Sequence, residues 1–406
     1  MRIALVSLHT SPSAIPGSGD AGGMNVVVAE AAHALSDRGH EVIVATRANT
    51  EVAAGEQSLR RPQVSGEGRQ GDPAGSSPRL IALAAGDPAL AKGDLPAIVP
   101  EFARGLRELG PFDAVHAHYW LSGLAAVGAF GGEGSGIATT FHTLAAQKNS
   151  RLAPGDRPEP EVRVLAEQSL AETTFVVAGS RSELAGVEEF CGHPRVGSAV
   201  VHPGVDTRLF VPRPAPRQFL RVTVLGRVQP LKGQDLAVRA AVELAAQDPD
   251  LFARTEWVIA GEPTPGAEGF AAGLRELAEA AGVSDRVRFL PAQSRAQAAA
   301  LLASSDLVLV PSHSETFGLT ALEAGASGIP VIAAGHTGLV EAVPEGVAGL
   351  HMPDRDPAAW ARAIAELLRD EPRRLRLGES ARRHAEQHDW AAHAAALERI
   401  YEGLIR

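Results

Sequence analysis

The sequence predicts an α/β protein made of two Rossmann-like, doubly wound domains facing one another across a cleft. Three observations lead there. Short β-branched apolar runs alternate with longer Ala, Leu, Glu and Arg stretches, a rhythm that reads as βαβ units around a parallel sheet buried on both faces. The rhythm stops at a proline-rich segment and then begins again. The chain has 406 residues, 45% of them hydrophobic, long for one core and sufficient for two of roughly 200 residues each.

In chain order, the first set of expected strands is "RIALVSL" (2–8), "EVIVATR" (41–47), "RLIALAA" (79–85), "AVHAH" (114–118), "GIATTF" (136–141), "FVVAG" (175–179) and "SAVVH" (198–202). The second set is "LRVTVLG" (220–226), "EWVIAG" (256–261), "RVRFLP" (286–291), "LVLVPS" (307–312) and "PVIAA" (330–334). Between them, "HPGVDTRLFVPRPAPR" (202–217) carries four prolines and no helical period. We therefore assign residues 1–205 to a first domain, 206–218 to a linker and 219–389 to a second domain. The closing stretch 390–406 places Ala394, Leu397, Ile400, Tyr401 and Leu404 at helical spacing, and this helix is expected to pack back on the first domain. The polar, Gly-rich segment 55–78 has no periodicity and reads as a surface loop.

Charge and cysteine content exclude several classes. The net charge is −10 and the cations are scattered, so nucleic acid is not an expected partner. Cys191 is the only cysteine, which rules out an intrachain disulfide and a thiolate metal cluster and fits a reducing cytoplasm. The opening "MRIALVSLHT" has too short an apolar run for a signal peptide, and no run approaches the length of about 18 apolar residues needed to span a bilayer. A cytoplasmic protein without membrane insertion is expected.

Gly17, Gly19 and Gly22 spell G-x-G-x-x-G, the fingerprint of a dinucleotide site. That fingerprint needs its first glycine at the end of the first strand, whereas Gly17 lies nine residues beyond Leu8 and past two prolines, and the second strand closes on Arg47 rather than on an acidic residue. NAD is therefore not expected. Gly22 and Gly23 instead open a helix and leave peptide N–H groups uncovered by any Cβ, as an anion at a helix N-terminus requires; a flexible surface loop is the alternative.

Other candidates cluster on the expected crevice rim. His9, His118 and His142 sit at or just past the C-terminal ends of first-domain strands, the edge that faces the ligand in open α/β sheets. His116 and His118 share a strand face, but no third ligand at recognisable spacing supports a metal site. "LGRVQPLKG" (225–233) puts Arg227 and Lys232 in the loop after the second domain's first strand, a planar fork and a point charge suited to a diphosphate. In "SETFGLTALE", Glu315 and Glu323 are eight residues apart. If a helix starts near Phe317, its positive end points into the crevice with Glu315 just before it and Glu323 about two turns in. Such carboxylates can stabilise a developing oxocarbenium ion or hold a ribose diol, or can simply cap the helix and face solvent. Asp356, in "PDRDP", reads as an N-cap ahead of Pro357.

Taken together, "LGRVQPLKG" and the E-x7-E of "SETFGLTALE" resemble the retaining, two-Rossmann-domain (GT-B) glycosyltransferases of family 4. In the first domain, "HTSP", "GDAGGMN", "HAHYWLSG", "FHTLAAQKN" and "EVRVLAEQ" are similar to the D-inositol 3-phosphate glycosyltransferases of mycothiol biosynthesis, which move N-acetylglucosamine from UDP-GlcNAc to inositol phosphate. The resemblance implies that Arg227, Lys232 and Gly23 hold the donor diphosphate and Glu323 the ribose. It places Glu315, with the backbone of Phe317 and Gly318, beside the transferred sugar, Gln293 among the donor contacts and His118 among the catalytic residues. For the acceptor it implies Lys92, Tyr119, Thr143 and Arg163 around the phosphate, with His9, His142 and the loop from Asp20 through Gly22 and Met24 to Asn25 around the ring; Arg163 could instead pair with Glu167 one turn on. No cofactor is required; magnesium is left open, as is a homodimer.

The chain departs from the family pattern at three places: "GEP" (261–263) stands for glycine-glycine-proline, Ile329 for a threonine, and "AAGHTGL" (333–339) for a valine-glycine-glycine turn. These surround the donor sugar or base. They keep open the same chemistry on another nucleotide sugar or acceptor, beside the remoter readings of a nicotinamide oxidoreductase and of a nucleotide-sugar-binding protein without turnover.

Overall fold

The computed structural model describes residues 1–59, 61, 77–131, 136–213 and 218–405. The first lobe contains β1 (Arg2–Ser7), β2 (Glu41–Arg47), β3 (Gly55–Ser58), β4 (Arg79–Leu83), β5 (Ala114–His118), β6 (Ile137–Thr140), β7 (Phe175–Ala178) and β8 (Ser198–Val200). They form one sheet in the order β3-β4-β2-β1-β5-β6-β7-β8. The second lobe contains β9 (Leu220–Leu225), β10 (Thr255–Ala260), β11 (Val287–Leu290), β12 (Leu307–Val310), β13 (Val331–Ala334) and β14 (Gly349–Met352), ordered β11-β10-β9-β12-β13-β14. Every pairing is parallel except β3 against β4.

Two strands lie outside the expected set. Part of the presumed 55–78 loop is β3, an antiparallel edge strand whose four residues are all exposed; the rest of that loop falls largely outside the described residues. The other is β14, which adds a parallel edge to the second sheet.

Successive side chains of a strand point to opposite faces, and each central strand here is apolar on both. Ile3 and Leu5 of β1 pack with the helix Gly23–Asp37, while Ala4 and Val6 pack on the other side with the helices Val99–Leu109 and Trp120–Phe130. In the second lobe, Leu307 and Leu309 of β12 join the helices Gln234–Gln247 and Pro357–Arg369, whereas Val308 and Val310 join Arg295–Ala303 and Leu319–Ala326.

The last helix, Trp390–Leu404, lies against Gly23–Asp37 and fills the first lobe's core with Ala394, Leu397 and Tyr401. The Tyr401 hydroxyl is 2.7 Å from Nδ1 of His116 on β5. The chain therefore crosses between the lobes twice, and the crossings touch where the Val205 N–H donates to the His388 carbonyl at 2.8 Å. Asp356 caps the helix at Pro357, its carboxylate accepting from the N–H groups of Ala358 and Ala359. Among the described residues, no helix is long and apolar enough to cross a membrane.

Candidate functional site

The C-terminal ends of the two sheets face one another across a cavity of about 720 Å³, which joins a narrower one of about 130 Å³. The walls they share include Gly22, Gly23, Arg227, Lys232, Glu315 and Gly318.

The G-x-G-x-x-G segment belongs to this meeting line. The Gly17 carbonyl accepts the N–H of Glu262 from the second lobe at 3.1 Å, so the segment bridges the lobes instead of forming a first-strand turn. A Cβ on Gly22 would stand 3.2 Å from Nε of Arg227, and one on Gly23 would stand 3.2 Å from Leu319. The helix opening at Gly23 thus brings bare backbone against the second lobe. Its N-terminus is only partly free: the Gly22 N–H is taken by Asn25 Oδ1 at 2.9 Å, and the same Asn25 side chain donates to Thr10 Oγ1 and the Ser11 carbonyl. The N–H groups of Gly23 and Met24 have no partner within their own helix, as the first turn dictates.

On the second lobe, Arg227 follows β9, and its Nη1 donates to the Asp20 carbonyl at 3.4 Å. Among the described residues no carboxylate lies within ion-pair distance of it. Burial lowers its pKa, with Asp20 and Glu315 pulling the other way. Lys232 Nζ pairs with Glu315 Oε1 at 2.6 Å, and the Ser312 hydroxyl donates to the same oxygen at 2.7 Å. The neighbouring helix begins at Leu319, with Gly318 (φ +113°) as its cap, rather than near Phe317. Gly318 has a left-handed backbone, so the helix can begin only after it, and the Phe317 ring just before is buried against His202 at 5.3 Å between centroids. Glu323 consequently sits about one turn in, not two, and it is closed off by an ion pair with the half-buried Arg295. Gln293 lines the narrower cavity, its side-chain amide donating to the Pro291 carbonyl.

On the first lobe, the proposed acceptor residues lie together but are already partnered. Lys92 Nζ is 2.8 Å from Asp20 Oδ1. Arg163 meets Glu167 at 2.7 Å and Glu159 at 2.9 Å, donates to Thr143 Oγ1 at 2.9 Å and lies 4.7 Å above the Tyr119 ring. The helical pairing with Glu167 that the sequence offered as the alternative is therefore present. Lys148, also on the cavity wall, pairs with Glu159 at 2.9 Å. Met24 and Asn25 line the same cavity.

The histidines form a neutral stack. His9 lies 4.1 Å from the Tyr119 ring, His118 Nδ1 is 2.9 Å from His142 Nε2, and the His116 and His118 rings stack at 4.3 Å. Burial pushes His116 and His142 down to about 3 and holds His9 and His118 well below the ordinary histidine value, with neighbouring cations and histidines adding to it. Both nitrogens of His116 are engaged, by Tyr401 and Thr140, and among the described residues no three His, Cys, Asp or Glu side chains group as metal ligands.

Sequence reasoning did not single out Arg295, Glu159, Lys148, Thr316, Thr337 or Glu183. Glu159 stands four residues before Arg163, a helical pairing signal that could have been read. Arg295 and Thr337 become visible only when distant segments meet. Glu183 is wholly buried at the cavity, accepts the Gly179 N–H at 2.6 Å, and is pushed up to about 7 by its burial. Among the described residues, the non-glycine positions with left-handed backbone are Tyr119, His142 and Thr337, at φ of 79°, 60° and 56°. Such strain persists only where the surroundings enforce it, and it concentrates at binding sites.

Comparison with known proteins shows the family and the fold. Residues 21–209 match the family described as Glycosyltransferase Family 4, and residues 208–384 match Glycosyl transferases group 1. The D-inositol 3-phosphate glycosyltransferase of Salinispora arenicola is 38% identical over 98% of this chain and 91% of its own length. Its namesake from Mycolicibacterium smegmatis is 39% identical over 98% of this chain and 89% of its own. Among solved structures, sucrose-phosphate synthase from Thermosynechococcus elongatus superposes with a TM-score of 0.83 at 26% identity, covering 100% of this chain and 99% of that one. Anabaena HepE in complex with UDP and glucose shares the fold, with a TM-score of 0.75 at 19% identity and 98% of each chain covered.

Proposed function

This chain belongs to the D-inositol 3-phosphate glycosyltransferases, with the GT-B fold of family 4, and from that premise we propose that it transfers N-acetylglucosamine from UDP-GlcNAc to 1D-myo-inositol 3-phosphate in mycothiol biosynthesis, with retention at the anomeric carbon. The observation that carries the proposal is Arg227. It is a guanidinium between the lobes, held by one peptide carbonyl, close beside the bare backbone of Gly22 and the mouth of the helix at Leu319. A cation so placed calls for an anion, and a leaving diphosphate fits it.

In this reading the nucleoside end of the donor occupies the narrower cavity by Gln293, Glu323 and Arg295, and the diphosphate lies against Arg227, Lys232 and the N–H groups of Gly23 and Met24. The acceptor enters the larger cavity beside His9, Lys92, Tyr119 and Arg163. Its hydroxyl oxygen forms the new bond to the anomeric carbon on the face from which the diphosphate departs. The anomeric carbon–oxygen bond breaks, its electron pair leaves with the diphosphate, and a diphosphate oxygen takes the hydroxyl proton. The protein's task is then to match charge in a dry cleft, an effect worth several kcal/mol. Neutral His118 and His142 offer hydrogen bonds without adding charge.

Mass spectrometry of reactions with UDP-, GDP- and dTDP-sugars plus inositol phosphate, with and without magnesium, tests the proposal. A hexosaminyl inositol phosphate from UDP-GlcNAc is the expected product. A second reading, the same chemistry with another donor or acceptor, draws on two observations: carboxylates already occupy the acceptor-side cations, and Thr337 stands where the family has a glycine-rich turn. Product from a different polyol or sugar nucleotide, with none from the favoured pair, would select it.

A further inference from the structure

Resting on the reading that Glu315 acts beside the transferred sugar, we propose that Thr316 is a positioning residue, a latch through which contact between the lobes sets the placement of Glu315. The Thr316 hydroxyl donates to the carbonyl of His142, on the first lobe. The Thr316 carbonyl accepts the hydroxyl of Ser180, also on the first lobe, at 2.6 Å. One residue of the second lobe is thus gripped at both its side chain and its backbone by the first.

The peptide next to it is held from its own lobe. The Glu315 N–H donates to Thr337 Oγ1 at 3.1 Å, and the Glu315 carbonyl accepts the Gly338 N–H at 2.9 Å. The turn carrying those groups presses so close that a Cβ on Gly338 would fall 2.0 Å from the Thr316 carbonyl oxygen. Directly after it, Glu341 reaches across to the first lobe, accepting the N–H groups of Arg181 and Ser182 at 3.1 Å each and lying 3.0 Å from His202 Nε2. Residues 316 and 337–341 therefore dock on 142 and 180–182 as one seam.

Two of the strained residues, His142 and Thr337, supply the groups that take hold of Thr316 and Glu315. Strain kept at both ends of one short segment is what a precisely set carboxylate would require, because the surroundings must over-determine its position. Parting the lobes would break the bonds joining Thr316 to Ser180 and His142, while those joining Glu315 to Thr337 and Gly338 survived. Glu315 keeps its own-lobe bonds to Lys232 and Ser312 as well, so what the meeting of the lobes adds is the placement of that held carboxylate against the first-lobe wall, and a donor sugar not so placed is left to water rather than to the acceptor.

The test uses the full chain and two variants. Thr316→Val keeps the side chain's shape and removes its hydroxyl, and Thr316→Ser restores the hydroxyl. With active enzyme, Thr316→Val should lower the kcat of transfer by about tenfold, the effect of one lost hydrogen bond. UDP affinity should stay within about twofold of the wild type, and the ratio of donor hydrolysis to transfer should rise; Thr316→Ser should recover most of the loss. Small-angle scattering with saturating UDP supplies a readout that needs no turnover: Thr316→Val combined with Glu341→Ala should give a larger radius of gyration than the wild type. Equal scattering curves, or an unchanged kcat and partition in Thr316→Val, overturn the latch. If the double variant opens but the wild type transfers no sugar from any nucleotide donor tested, the latch stands and the glycosyl-transfer reading of this site fails.

Discussion

The two walls of the cleft differ in how many of their cations are left uncompensated. On the acceptor wall every prominent cation already has a carboxylate partner: Lys92 has Asp20, Arg163 has Glu159 and Glu167, and Lys148 has Glu159. At the proposed diphosphate seat Lys232 likewise has Glu315, but Arg227 is held by a single carbonyl. An acceptor phosphate must exchange partners with resident carboxylates, so its affinity is a difference between two charge-assisted contacts. A diphosphate at Arg227 would meet a guanidinium with no ion-paired carboxylate, and would compete with Glu315 only for Lys232. The contrast teaches that the count of basic residues in a cleft says less about anion binding than the number left uncompensated.

Four perturbations break or sharpen that comparison. The largest effect is expected for Glu323→Ala, which removes the ion-pair partner of Arg295, a side chain 11% exposed that keeps only the more distant charges of Glu30 and Asp206; loss of a partner from a buried pair costs about 3–5 kcal/mol. Chemical denaturation should show it, and a midpoint unchanged from the wild type would mean that the pair is not buried in solution. Next, Arg227→Ala should reduce transfer kcat by about 100-fold, as expected for a group that meets charge developed in the transition state. A loss confined to KM would instead make it a ground-state anchor.

The third is acid. His116 and His142 titrate at about 3 in the folded chain against an ordinary 6.5, so between those values the unfolded chain binds more protons. Their contribution is full above 6.5 and lost as pH falls toward 3. Glu183, raised to about 7 from 4.5, works the other way, its contribution falling as pH climbs through that window. With four lowered histidines in the stack, His9, His116, His118 and His142, against the raised Glu30, Glu167 and Glu183, the Tm at pH 5 should lie below that at pH 7, and Glu183→Gln should widen the gap; equal Tm values would count against a neutral histidine stack. The smallest effect is that of Lys92→Ala. The pair it breaks with Asp20 is half exposed and worth less than about 1 kcal/mol to stability, so the Tm should hardly move while acceptor KM rises. An unchanged KM would remove Lys92 from the acceptor site.

What could be read from the sequence follows from how each feature is encoded. Strands such as Leu307–Val310, apolar on both faces, announce themselves in any window. The edge strand Gly55–Ser58 is exposed along its whole length, and nothing apolar marks it. In the site, Arg227 and Lys232 were visible because strand ends in such folds point to the ligand. Their partners were not: the bond from Thr316 to His142 joins residues 174 apart, and that from Glu315 to Thr337 joins residues 22 apart. Helix pattern alone puts the start of the Leu319 helix near Phe317, because it does not reveal that Gly318 takes a left-handed backbone. Local chemistry was legible, and the contacts that restrain it depend on the assembled lobes.

The return of Trp390–Leu404 to the first lobe has a consequence for biosynthesis. As a nascent chain leaves the ribosome, the first sheet and most of its helices are available early, yet one face of that sheet still lacks Ala394, Leu397 and Tyr401. N-terminal domains usually fold first during synthesis, but here the first-made core is sealed by a helix translated only after the whole second lobe.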